Sequence, residues 1–282
     1  MSGPVIDVHV HLTPPDITGG RDSFLDGEGA WTDLYRDPRA RMVTTCDLLA
    51  MMDEEGVDKA LVMGFPWSNE DTARKHNEWL LEQTEKHPGR LYPLASFDIL
   101  APWARRHAED MLEAGMFGLG ELALYDRGFG EDELEILADL GSMCREHDRV
   151  LLMHVNEPIG HQYPGKAPLE IGQIDALVRR CQGVKLILAH FGGGLPLLAA
   201  LKKEVKEYLA NVRFDTAAMP FLYNPAALPM AFKVLEPKHF FLGTDFPLLK
   251  PSRYRKYLIE AGLDEDVINQ IMGGAAAEFL GF

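Results

Sequence analysis

Six residues of metal-binding type stand at or just beyond the ends of apolar runs that lie far apart in the chain. They are His9 and His11, Glu121, His154, His190 and Asp245. Imidazole nitrogens and carboxylate oxygens are the ligands that Zn²⁺ and related divalent ions take from proteins. A catalytic ion of this kind keeps one position open for water and lowers the pKa of that water to roughly 7. A nearby carboxylate can orient the water and accept its proton, and a further imidazole can polarise the substrate or shuttle protons. Each residue alone is weak evidence. A histidine ending an apolar strand is commonly a satisfied core residue, and Asp245 alone could cap a turn. The signal lies in their joint placement.

That placement depends on the elements that carry them. His9 and His11 are separated by one residue, so on a β-strand they project from the same face. Apolar runs predict strands over 4–11, 59–64, 91–97, 116–122, 150–153, 185–189, 212–215 and 240–243. Helical periodicity falls between them: from Thr44 or Thr45 to Gly56, over 70–86, from near Pro102, and over 132–147, 169–181, 196–209 and 225–235. Three more helices close the chain near 253–261, 264–272 and 275–280. Continuous apolar strands in strict alternation with helices are the pattern of a parallel sheet covered on both faces. Eight such units predict a (β/α)8 TIM barrel, whose C-terminal strand ends share one mouth. The competing doubly wound sheet lacks a G-x-G-x-x-G after strand one. All six ligand-type residues would then converge. His76, His87, His107 and His147 fall on helices or their ends, where solvated roles are expected, and His239 opens strand eight at the opposite face.

No repeat or linker interrupts the chain, which is read as one domain over 1–282. The polar stretch 13–43, with its glycines, Trp31 and Tyr35, is too long for an ordinary connection and is expected to be a lid or insertion loop. The net charge of −15 argues against binding nucleic acid or an anionic membrane, which requires clustered Lys and Arg. Cys46, Cys144 and Cys181 are far apart and odd in number, so neither a disulfide framework nor a thiolate zinc site is expected. Each is read as a small buried hydrophobe. The chain runs directly into a strand without a leader pattern, and the apolar stretch 186–201 is broken by His190, glycines and Pro196. A cytoplasmic protein acting on a small molecule is the expectation.

The motifs Asp7-Val8-His9-Val10-His11, Met153-His154, Leu188-Ala189-His190-Phe191-Gly192-Gly193 and Gly243-Thr244-Asp245-Phe246-Pro247 resemble those of the amidohydrolase superfamily. Within it the pattern looks like the amidohydrolase-2 branch, which also holds aminocarboxymuconate semialdehyde decarboxylase and resorcylate-type decarboxylases. The segment 47–58 and the closing stretch 273–280 extend the resemblance over essentially the whole chain. It implies that His9, His11, His154 and Asp245 bind one metal, with His190 as a catalytic imidazole and Asp245 doubling as proton acceptor. No lysine ends strand four or five, so a bridging carboxylated lysine is not expected. Glu121 resembles the strand-four glutamate of TatD-type enzymes, which bridges two metals. It is therefore counted as a ligand, and His190 as a candidate ligand of a second ion. The resemblance implies a divalent cofactor, Zn²⁺ first, as one or two ions, and a homodimer is common in this branch.

Substrate contacts are sought on the same face. The loop after strand five offers Asn156, Glu157, His161, Tyr163 and Lys166. Phe65, Pro66 and Trp67 after strand two could form an apolar wall, and Arg127 after strand four could bind a carboxylate bidentately. The leading expectation is metal-dependent hydrolysis of an amide, lactone or ester. The alternative is non-oxidative decarboxylation of an aromatic or unsaturated carboxylic acid. A TatD-type nuclease and a non-catalytic binding barrel stand behind these two.

Overall fold

A computed structural model describes residues 3–282. Eight strands, β1 (Ile6–His11), β2 (Lys59–Met63), β3 (Leu91–Ala95), β4 (Gly118–Leu122), β5 (Val150–Met153), β6 (Lys185–Leu188), β7 (Val212–Asp215) and β8 (Phe240–Phe241), form one parallel sheet in sequence order. The sheet curls until its ends meet. Val8 donates its N–H to the Leu242 carbonyl at 2.8 Å, Asp245 to His9 at 2.9 Å and His11 to Phe246 at 2.8 Å. The helices between strands cover the outside, which makes the fold the expected (β/α)8 barrel.

The strands are apolar throughout because both faces are buried. Ile6, Val8, Leu61, Leu152, Ile187 and Phe241 pack together inside the barrel, closed from below by Ala275, Ala276 and Leu280 of the last helix. Val10, Val62, Leu151, Met153, Leu186 and Leu188 face the surrounding helices. Strand side chains alternate, so this parity alone would send His9 and His11 outward with Asp7. The β1–β2 ladder shifts register between Asp7 and Val10, and the parity reverses there. The β4–β5 ladder shifts in the same way between Leu119 and Leu122, around Glu121. Beside that shift, a Cβ on Gly120 would lie 2.7 Å from the Leu152 Cβ and 2.8 Å from its carbonyl oxygen, with φ at +148°. Only glycine fits this approach of β4 to β5.

The helices Thr45–Glu55 and Glu70–Lys86 follow their sequence signals closely. The first starts on a capping box of Thr44 and Asp47 and stops at left-handed Gly56, φ +70°. The second starts on Asn69, whose side chain accepts from the Thr72 N–H. The helix expected over 196–209 is two pieces, Leu195–Leu198 and Lys203–Tyr208, and nothing in the intervening sequence marks the break. The one expected over 225–235 is preceded by Met219–Leu222, which ends short of Pro225, and is reduced to Ala227–Ala231.

The stretch 13–43 is structured. It contains the short helices Pro15–Gly19 and Gly29–Tyr35 and the turn Arg21–Phe24. Trp31 is buried against Phe65 and Trp67, with ring centroids at 5.1 and 4.5 Å. Glu28 accepts from the N–H groups of Ser68 and Asn69, pinning the stretch to the loop after β2. Two of the helix histidines correct the expectation of solvated roles: His76 and His107 are buried. The helix faces that carry them pack on the barrel, and both find partners. His76 accepts from Trp67 Nε1 at 2.9 Å and donates to the Leu12 carbonyl, while His107 bonds Asn77 at 2.9 Å. Cys144 and Cys181 are buried as expected, whereas Cys46 is exposed on the first turn of its helix. Among the described residues no helix is long and apolar enough to cross a membrane.

Candidate metal centre

The six ligand-type residues meet at the C-terminal mouth of the barrel. His9 Nε2 and His11 Nε2 are 3.1 Å apart, and Asp245 Oδ1 lies 3.7 and 3.3 Å from them. Glu121 stands on their other side, with Oε1 3.7 Å from His9 Nε2 and Oε2 3.6 Å from His11 Nε2. Across Glu121, His154 Nδ1 and His190 Nε2 are 3.2 Å apart, and Glu121 Oε1 is 3.0 Å from the former. The donors therefore form two groups, His9–His11–Asp245 and Glu121–His154–His190.

The outer ring nitrogens fix what the inner ones can do. His9 Nδ1 faces Asp215 Oδ2 at 2.8 Å, His11 Nδ1 the Gly64 carbonyl at 3.1 Å, and His190 Nδ1 the Ala217 carbonyl at 3.1 Å. His154 Nε2 faces the Gly165 carbonyl at 2.9 Å. All four partners are acceptors, so each outer nitrogen carries a hydrogen and each ring, when neutral, points a lone pair inward. Lone pairs 3.1 and 3.2 Å apart, flanked by carboxylates, repel unless a metal cation or a shared proton stands between them. Outer-nitrogen bonds of this kind are the usual way a protein orients histidine ligands. The donor set fits a divalent ion.

The electrostatics show the same demand for positive charge, which a proton on the imidazoles can also meet. Burial pushes His9 down, but Glu121 and Asp215 outweigh it and hold its pKa at about 10. Burial likewise opposes ionisation of Glu121, yet His154 and His9 hold its carboxyl well below the usual range. Asp245 is also held low against burial, chiefly by its bond to His11. Buried Glu121 and half-buried Asp245 stay ionised because positive charge is drawn to the centre. Asp7 lies outside the cluster and goes the other way, pushed up to about 7 by burial despite its bonds to Thr244.

Local backbone shapes the site. His190 and Phe191 leave β6 in the left-handed region, φ 53° and 58°, and Asp215 Oδ1 accepts from the His190 N–H at 2.8 Å. Asp245 has φ 55°. Left-handed conformations in residues other than glycine concentrate at functional positions. A Cβ on Gly243 would lie 2.9 Å from Asp215 Cγ and 3.0 Å from His9 Cβ, so glycine there lets these two side chains meet.

Above the centre lies a cavity of about 550 Å³ with His11, Glu121, His154, His190 and Asp245 in its lining. Phe65, Tyr35 and Tyr125 form an aromatic side, and Arg39 and Arg41 line it from the stretch 13–43. Of the residues expected to face substrate, Phe65, His161 and Tyr163 line this cavity. The other six lie outside its lining. Trp67 is fully buried behind it, packed at a tilt against Trp31. Arg127 points outward and pairs with Asp126 at 3.1 Å. Asn156 is buried and bonds both backbone groups of Ala167, bracing its own loop. Glu157 pairs with Lys166 at 3.0 Å and accepts from Tyr163, which holds the loop in shape. Asp215, Tyr35, Arg41 and Tyr125 were not anticipated. For Asp215 a signal existed, since it ends an apolar strand just as the ligands do.

A family profile described as Amidohydrolase matches residues 6–282. The chain is 25% identical over 324 residues to 6-methylsalicylic acid decarboxylase of Penicillium expansum, covering 97% of this chain and 95% of that one. Its fold is similar to that of 5-carboxyvanillate decarboxylase from Sphingomonas paucimobilis, with a TM-score of 0.74, 18% identity and 99% of both chains covered. It is also similar to a dihydroxybenzoic acid decarboxylase from a Polaromonas species solved with bound manganese and 2-nitroresorcinol. That likeness has a TM-score of 0.68 and 17% identity over 99% of this chain and 97% of the other. These findings overturn the expectation of hydrolysis. The relative that spans nearly the whole chain is named a decarboxylase, and so are these structures of the same fold. The six strand-end ligand types do not separate the two reactions, because both need the same charged floor.

Proposed function

Because the chain belongs to the amidohydrolase family, we propose that it is a metal-dependent, non-oxidative decarboxylase of an aromatic carboxylic acid. The observation that carries the reading is the likeness to a 6-methylsalicylic acid decarboxylase over 97% of the chain. The cavity supports it: an aromatic side of Phe65, Tyr35 and Tyr125 suits a flat ring, and the cation Arg41 favours an anion.

His9, His11, His154 and Asp245 would hold the ion, with Glu121 and His190 beside it or around a second one. A bound divalent ion supplies concentrated positive charge against the anionic substrate. Nitrogen and oxygen donors without thiolate accommodate Zn²⁺ and equally Mn²⁺, the ion present in the Polaromonas relative. In the reaction the ring carbon that bears the carboxylate takes up a proton. The electron pair of the breaking carbon–carbon bond then returns to the ring as CO₂ leaves. His190 has its Nδ1–H committed to Ala217 and turns Nε2 to the cavity, and Asp245 faces the same space. These two residues hold and deliver the proton. The stretch 13–43 closes the cavity from above as a lid, excluding water from the reacting carbon.

The test is a panel of hydroxybenzoic acids, including 6-methylsalicylate, 2,6-dihydroxybenzoate and 5-carboxyvanillate, given to the manganese- or zinc-loaded protein. CO₂ release from at least one acid is expected. Its absence with every acid retires the proposal.

A further inference from the structure

The chain has eight tyrosines, and six of their hydroxyls have partners within the protein. Tyr92 accepts from Lys59, Tyr163 donates to Glu157, Tyr208 to Asp175, Tyr223 to the His190 carbonyl, Tyr254 to Thr244 and Tyr257 to Tyr223. Tyr35 and Tyr125 are the exceptions among the described residues, and both line the cavity over the metal ligands. Neither hydroxyl is sealed from solvent, and both residues line the cavity. A tyrosine with a largely buried ring ordinarily finds a partner for its hydroxyl.

The two rings are held rigidly. Tyr35 stacks on buried Trp31 with centroids 4.1 Å apart. Phe65 stands 6.2 Å from Tyr35 and 6.3 Å from Tyr125, nearly parallel to the latter. Tyr125 also leans on His154 at 5.0 Å. The two residues come from different parts of the chain, Tyr35 from the helix Gly29–Tyr35 and Tyr125 from the loop after β4. A phenol, with an ordinary pKa near 10, is a donor at neutral pH.

We infer that Tyr35 and Tyr125 are specificity-determining residues, whose two free hydroxyls donate to the phenolic oxygen of a hydroxybenzoic acid seated over the metal ligands. The inference rests on the proposed aromatic-acid reading and assigns the residues that sense a ring hydroxyl. A site built to bond a substrate hydroxyl discriminates against the analogue that lacks it.

Affinities of the manganese-loaded protein for benzoate and the three monohydroxybenzoates, measured by calorimetry, test the pair apart from turnover. The wild type is expected to bind its best hydroxybenzoate roughly tenfold more tightly than benzoate, the scale of a satisfied hydrogen bond. That preference should fall to near unity in the Y35F/Y125F double variant, with benzoate affinity little changed. Absence of any preference in the wild type, or the same preference in the double variant, overturns the inference. A preference that depends on both tyrosines in a protein that releases no CO₂ would retire the decarboxylase reading and leave the tyrosine pair standing. Thermal melting of the variant guards against misfolding, and Y35F and Y125F singly are each expected to lose part of the preference.

Discussion

Asp215 and His9 meet side chain to side chain in the floor of the barrel, carboxylate oxygen to ring nitrogen at 2.8 Å, both fully buried. The other oxygen of Asp215 accepts from the N–H groups of His190 and Ala217, at 2.8 and 2.9 Å. One carboxylate thus orients the His9 ring in the first donor group and anchors the backbone turn that carries His190 in the second. Asp215→Asn keeps the shape but replaces an acceptor with a donor. It is expected to lower affinity for Mn²⁺ or Zn²⁺ by roughly 10–100-fold, the usual effect of losing such a partner. Titration calorimetry on metal-stripped protein measures this, and unchanged affinity would show that Asp215 does not support the ligands.

Asp245→Asn and His190→Asn test proton delivery once elemental analysis shows that each variant retains its ion, since Asp245 would also hold it. Each removes a titratable group that faces the cavity, and kcat for CO₂ release should fall by roughly 10²–10⁴. Substrate affinity, read by calorimetry, should move much less than kcat. Near-normal turnover in either variant removes that residue from the proton path.

Removal of the ion should leave the facing lone pairs of His9 and His11, and of His154 and His190, without a mediator. Chelation is expected to lower the melting temperature and to abolish CO₂ release. A melting temperature that rises on adding Mn²⁺ back, and rises further with concentration, is the signature of an ion bound by the folded state. A flat response would contradict the site.

Glu121 depends on a buried hydrogen-bond chain. Ser96 Oγ donates to the Gly120 carbonyl at 2.6 Å, the Ser96 backbone is bonded in both directions by Asn77, and Asn77 is held by His107. Ser96→Ala leaves the Gly120 carbonyl without this donor. The expected cost is about 1–3 kcal/mol of stability in urea unfolding, together with weaker ion binding. Loss of stability without any change in ion affinity would confine Ser96 to a packing role.

His76 should give the protein an acid-sensitive step. Burial pushes its pKa from 6.5 down to about 4, so the folded state keeps the ring neutral between Trp67 and Leu12. Unfolding frees it to bind a proton below pH 6.5. The stability that His76 contributes is therefore complete above its unfolded pKa and is lost as pH falls toward its folded one. The loss amounts to roughly 3 kcal/mol over that window. Urea unfolding of the wild type from pH 7.5 to 4.5 should show this slope, and His76→Gln should flatten it. An identical slope in the variant would assign the sensitivity elsewhere.

The barrel and the floor of the site were legible in the sequence for a common physical reason. A strand buried on both faces must be apolar, so a histidine or carboxylate that ends it stands out, as His9, His154 and Asp245 do. The register shifts in β1 and β4 were not legible, because they depend on how neighbouring strands pair. The two histidines nevertheless share a face, as their spacing required. The walls of the cavity were harder to read. Trp67 and Asn156 have the chemistry of substrate contacts, but packing turned them to bracing loops. Tyr35 and Arg41 sit in a polar stretch without periodicity, where nothing local indicates which side chains turn inward. The reaction was not legible, because the same ligand types serve hydrolysis and decarboxylation.

Because Glu28 and Trp31 fasten the stretch 13–43 to the rest of the fold, the molecule divides its labour along the chain. The floor draws on five separate strand ends and has to be inherited whole. One wall, with Tyr35, Arg39 and Arg41, comes from a single contiguous block. Exchanging that block between homologues is expected to change what the cavity admits while the floor stays untouched, which makes it the natural cassette for diversifying this scaffold.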